Sequence, residues 1–97
     1  MEVNRRLLGT IGVDTHKLDL YRDDAVRVEA GSTGFHGEKS RGFVRILNSS
    51  LADFTARKIV DEKGNHGIQL ETQGEFQLSA LITALAFAKD ALEGRLK

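Results

Sequence analysis

The chain has 97 residues, 40% of them hydrophobic and 29% charged, with ten glycines, no proline and no cysteine. That size and balance describe one folded domain with a thin core, neither disordered nor fibrous. Fourteen basic residues offset fourteen acidic ones, so any binding to nucleic acid or membrane must come from a local patch. Without cysteine, disulfides and thiolate zinc sites are excluded. The start, Met1 to Arg6, leads into no apolar run of signal-peptide length, and no later run is long enough to span a membrane. The expected location is the cytoplasm, with no membrane partner.

In chain order, Val3 to Val13 carries Leu7, Leu8, Ile11 and Val13, and Lys17 to Arg22 alternates Leu18 and Leu20 with Lys17, Asp19 and Tyr21; both read as strands. Asp23-Asp24 is expected to turn the chain into Ala25 to Ala30, where Val26 and Val28 face one way and Arg27 and Glu29 the other. Gly31 to Gly42 reads as a mobile glycine- and serine-rich loop. Arg41 to Asn48 alternates again, and Phe54 to Asp61 predicts a further strand, although the spacing of Leu51, Phe54 and Lys58 also fits a helix. A turn at Glu62 to Asn65 and a last strand at Gly67 to Glu71 follow.

From Gly74 to Leu92 the chain is dense in helix formers with no breaker before Gly94, which predicts a long helix. Leu78, Leu81, Ile82 and Leu85 form the bulky stripe expected to cover the sheet. Ala80, Ala84, Phe87 and Ala91 lie away from it and are expected to meet a second copy across a two-fold axis, the alanines allowing close helix approach. The fold class is therefore α+β, an antiparallel sheet of about five or six strands with one long C-terminal helix packed on one face, assembled as a homo-oligomer, most simply a dimer.

No catalytic motif stands out. Gly31 to Ser40 has the glycines of a phosphate-binding loop, but Glu38 separates Gly37 from Lys39 where that loop needs them adjacent. The run Ile11-Gly12-Val13-Asp14-Thr15-His16-Lys17 resembles the first strand of insertion-sequence transposases with a ribonuclease-H-like domain, whose aspartate helps to hold metal. Such domains need further carboxylates on a larger α/β sheet, so Asp14-Thr15 is expected as a turn. His16, His36 and His66 stand singly, without a second ligand at helical or strand spacing. No metal, cofactor or enzymatic activity is expected.

The constellation with a chemical point is on the sheet. If Val44 and Ile46 face the core, Arg41, Phe43 and Arg45 project from the other side, placing a ring between guanidinium groups. Lys17, Tyr21 and Arg27 share that side by the same alternation. Aromatic rings stack unpaired bases while cations neutralise the backbone, so these six residues are the candidate contacts for single-stranded nucleic acid. A solvated face whose arginines pair across strands with Asp19 and Glu29 competes with that reading. A protein-interaction or small-ligand module, with a cleft between sheet and helix and the Gly31 to Gly42 loop as a lid, is the alternative function.

Gly67-Ile68-Gln69-Leu70, followed by Glu75-Phe76-Gln77-Leu78 and the long helix, resembles the end of the transcriptional-coactivator and Pur-alpha-like single-stranded-DNA-binding fold. In that family a last strand with a Gly-Ile-x-Leu run leads into a helix packed on a curved antiparallel sheet. The resemblance implies a dimer through the helices and a basic sheet that grips single strands.

Overall fold

A computed structural model of the protein describes residues 2–20, 26–34, 37–48 and 54–96. Tyr21, the Asp23-Asp24 turn, His36 and Leu51 lie outside the described residues. The elements in order are β1 (Glu2–Leu8), β2 (Ile11–Leu20), β3 (Val26–Ser32), a 3₁₀ turn at Gly37–Lys39, β4 (Gly42–Asn48), β5 (Phe54–Val60), β6 (His66–Thr72) and α1 (Gly74–Leu92). The fold is α+β. Its six strands divide into a four-stranded sheet, β1-β2-β3-β4, and a separate hairpin, β5-β6, with every pairing antiparallel.

Alternation sets the strands as expected, with one break missed. Val3 to Val13 is two strands, because Gly9, at φ 68°, turns the chain tightly before Thr10 and pairs Leu8 with Ile11. β2 is the spine of the sheet: its first half pairs with β1, its second half with β3, and the two pairings overlap at His16 and Lys17. Asp14 is therefore mid-strand and not in a turn, and its carboxylate takes a hydrogen bond at 2.9 Å from Arg5 on β1.

Three rungs cross the sheet on the helix side: His16, Ala30 and Val44; Leu18, Val28 and Ile46; Leu20 and Val26. α1 lies over them. Its buried residues are Ala80, Ala84, Ala88 and Ala91, spaced by four, four and three to make one stripe. They pack on Val26, Val28 and Ala30, with Phe87 half-buried at the edge of the cluster. This corrects the expected division of the helix. Ala80, Ala84, Phe87 and Ala91 belong to the intramolecular core, whereas Leu78, Ile82 and Leu85 are exposed. Side-chain size explains the inversion, since a helix carrying only methyl groups on one face can settle closely on the valines of β3.

The helix is fixed at its end. Arg95 N–H donates to the Asp90 carbonyl at 2.8 Å and Gly94 N–H to Ala91 at 3.2 Å, around Gly94 at φ 75°, which is a Schellman closure. Ser32 Oγ, at the end of β3, donates to the Leu92 carbonyl at 2.6 Å.

The β5-β6 hairpin turns at Asp61. Its carboxylate accepts from the Asn65 side chain at 3.0 Å and from the backbone N–H groups of Lys63 and Asn65 at 2.9 and 2.8 Å. The Asn65 side chain, joined by those N–H groups, holds the Asp61 carboxyl below its ordinary value.

β3 crosses β2 at very close range where Gly31 lies over Asp14 and Thr15. A Cβ at Gly31 would run into the Asp14 carbonyl oxygen and the Thr15 Cα. Because backbone, not a flexible side chain, would have to move, Gly31→Ala is expected to cost about 3 kcal/mol or more; chemical denaturation of the variant measures it.

Candidate functional site

The side of the sheet away from the helix holds three rungs of a different character. Lys17, Glu29 and Arg45 lie across one another, Asp19, Arg27 and Leu47 form the next rung, and Gly31 pairs with Phe43 on the other side. Glu29 sits in the middle with its side chain only 2% exposed.

A buried carboxylate is costly unless it is paired and hydrogen-bonded, and here it is both. Arg6 on β1 reaches it with two parallel bonds, Nε to Oε2 at 2.7 Å and Nη2 to Oε1 at 2.6 Å, the strong bidentate arrangement of a guanidinium on a carboxylate. The buried Thr15 hydroxyl adds a bond at 2.5 Å. The Arg6 bonds, against the opposing effect of burial and with help from Thr15, lower the Glu29 carboxyl from its ordinary 4.5 to about 2.

The same Arg6 has a second use. Its guanidinium carbon stands 5.5 Å from the centre of the Phe43 ring, and that of Arg45 stands 5.4 Å away. Each contact is of cation–π type, with an attraction of about 0.5–2 kcal/mol. The ring thus has two cations against it, as the alternation of β4 suggested, but one of the two is different.

Arg6 occupies the place expected for Arg41. Arg41 precedes β4, and its Nη1 donates to the Glu38 and Ser40 carbonyls, both at 2.9 Å. Its backbone N–H bonds Thr33 Oγ1 at 2.9 Å, and the Ser40 hydroxyl bonds the Gly34 carbonyl. Arg41 therefore closes the loop between β3 and β4 on itself and does not project beside Phe43.

Lys17, Arg27 and Arg45 are brought together as expected. With Arg6, Glu29 and Leu47 they line an open depression. Arg27 also bonds Asp19 at 2.6 Å, so the solvated-face reading holds for that rung. Among the described residues Arg45 has the Phe43 ring as its partner and no carboxylate within ion-pair distance. Four cations, Arg6, Lys17, Arg27 and Arg45, share the face with two acids, Glu29 and Asp19, each paired with an arginine, which leaves the face a local positive excess although the whole chain is neutral. Arg6 was missed because its ion pair joins residues 23 apart in sequence, and no local pattern reports such a distance.

The described residues contain no cluster of three or more potential metal ligands, and no described helix is long and apolar enough to cross a membrane. In the segment that resembles the coactivator-like fold, β6 does carry Gly67 to Leu70 and does lead into α1, but among the described residues β6 pairs with β5 alone while the helix covers the other sheet. Comparison with protein-family models, curated proteins and solved structures finds no match, so function is argued from this face alone.

The depressed Glu29 carboxyl fixes a pH dependence. A group titrating lower in the folded state stabilises the fold above its unfolded value and loses that contribution as the pH falls. Stability from the Arg6-Glu29-Thr15 network is whole above about 4.5 and drains away toward about 2. In Glu29→Gln, acid titration followed by circular dichroism is expected to flatten across that window. Thr15→Val, which removes one bond to the carboxylate, is expected to cost about 1.5–3 kcal/mol in chemical denaturation.

Proposed function

We propose that the protein is a non-enzymatic, homodimeric, cytoplasmic binder of single-stranded nucleic acid, and that the strand runs over the sheet face carrying Arg6, Lys17, Arg27, Phe43 and Arg45. The observation that carries the reading is the Phe43 ring with the Arg6 and Arg45 guanidinium groups against it, beside the basic depression. Unpaired bases stack on aromatic rings and on the flat faces of guanidinium groups alike. The Phe43 ring and the Arg45 guanidinium beside it supply flat surfaces for such stacking, and Lys17 and Arg27, which line the same depression, supply charge for the adjoining phosphates.

Selectivity for single strands follows from the same geometry. A base can reach a stacking platform on a sheet only when it is not already stacked and paired in a duplex, and the exposed Leu47 supplies an apolar pad beside it. Arg6 works indirectly: tied to Glu29, it backs the ring and holds it in place. The neutral net charge limits the electrostatic contribution to this one face.

Fluorescence anisotropy of a labelled single-stranded oligonucleotide tests the proposal. Two phosphate contacts, from Lys17 and Arg27, correspond to a slope of log K against log salt of roughly −1.4. Phe43→Ala with Arg45→Ala is expected to remove about 1–3 kcal/mol per stacked base, whereas Arg41→Ala, whose side chain serves the loop, should leave affinity unchanged. Absence of binding at low salt, or equal loss from Arg41→Ala, refutes the proposed face.

A further inference from the structure

We infer that the basic depression on the open sheet face is a phosphomonoester site, and that it seats the phosphate of a nucleotide whose base stacks on Phe43. The inference deepens the proposed function and rests on it, naming which part of a nucleic acid this face holds.

The depression forms around Glu29. Lys17 and Arg45 flank that residue on its own rung, from β2 and β4, and Arg27 stands two residues along β3. Neighbouring strands lie about 4.8 Å apart and alternate residues of one strand about 6.7 Å, so cations from three strands converge on one small area. Arg6 lines it too, but its guanidinium is already bonded to both oxygens of the Glu29 carboxylate. The buried acid, bonded to the Thr15 hydroxyl as well, has its charge offset before any ligand arrives.

A circle of cations suits a compact anion with more than one charge. A phosphomonoester carries about −1.5 to −2 near neutral pH and presents three acceptor oxygens, whereas each linking phosphate of a strand carries a single charge. Guanidinium forks match phosphate oxygens in pairs, and an ammonium adds a point charge.

The flanking rungs favour the end of a chain over its middle. On one side lie Asp19, Arg27 and Leu47, where the partly exposed Asp19 carboxylate, 2.6 Å from Arg27, would meet a further phosphate with like charge and Leu47 would meet it with an apolar side chain. On the other side lies the rung of Gly31 and Phe43, which brings a ring and no carboxylate. Arg6 and Arg45, the two arginines against that ring, also line the depression, so ring and depression adjoin. A phosphate seated there has a base platform on one side and a repelling acid on the other. Such a monoester comes from the phosphorylated terminus of a strand or from a free nucleoside monophosphate.

Anisotropy titrations compare one oligonucleotide carrying a 5′-phosphate, a 3′-phosphate or hydroxyls at both ends. The phosphate at one of the two termini is expected to raise affinity roughly tenfold, the worth of one hydrogen bond between charged groups. That gain should shrink at about pH 5, below the second phosphate pKa of about 6; Glu29, the one acid lining the depression, is held at about 2 and stays ionised. Lys17→Gln or Arg27→Gln is expected to cut the ratio between phosphorylated and hydroxyl ends, whereas Phe43→Ala weakens all three oligonucleotides alike and keeps it. Because the ratio is first read on the unaltered protein, a variant that fails to fold leaves the test intact. Adenosine 5′-monophosphate that displaces the phosphorylated strand at comparable concentration marks the free nucleotide as the occupant, and displacement only at far higher concentration marks the strand end; either upholds the site. Equal affinity for all three ends overturns the inference and leaves the nucleic-acid face standing. Binding of the monophosphate without any oligonucleotide upholds the depression and removes the single-strand reading, and binding of neither overturns both.

Discussion

The Glu29 carboxylate holds the molecule's architecture and its candidate site in one place. It lies on β3, Arg6 on β1 and Thr15 on β2, so a single buried anion ties three strands together. An unpaired charge at that depth would be costly, and the strands must therefore adopt the arrangement that brings Arg6 over it. The close crossing at Gly31 belongs to this requirement, because β3 reaches the Asp14-Thr15 backbone only where it has no side chain. What holds the sheet together thus also places a guanidinium beside Phe43. Packing and recognition use the same residue here.

The helix side follows a different logic. Burial there depends on how closely two surfaces approach, and alanines opposite valines permit a closer approach than leucines would. The bulky residues that ordinarily make a core are thereby displaced outward, where they give the molecule a second apolar surface that the four-stranded sheet does not cover. The basic face, the alanine-filled layer and the outer stripe follow one another through the thickness of the body.

Much of the fold was legible in the sequence because pleating is local. Alternation along β3 and β4 separates Val28, Ala30 and Ile46 from Glu29, Phe43 and Arg45 without any knowledge of neighbours, and the structure keeps that separation. Lys17, Arg27 and Arg45 fall on one face for the same reason. The failures concern relations between distant segments. Which stripe of α1 meets the sheet is a matter of fit and not of hydrophobicity, so ranking side chains by apolarity chose the wrong one. Arg6 carries no local mark of its role, and Arg41 is withdrawn by carbonyls of its own loop. The Gly9 turn was readable in principle, since a glycine followed by threonine between two apolar runs is a hairpin signal, but the runs merged into one apparent strand.

The placement of β5-β6 also bears on how the protein opens. The four-stranded sheet is a simple meander of sequential neighbours, whereas the bond from Ser32 to Leu92 closes a span of 60 residues that contains the whole hairpin. Loop-closure entropy grows only slowly with length, by about 0.6 kcal/mol per doubling, so the hairpin can lengthen or melt while the sheet and helix stay docked. A two-stranded ribbon docked to the body through Leu70 is expected to open locally, exchanging amide hydrogens at lower free energy than global unfolding demands.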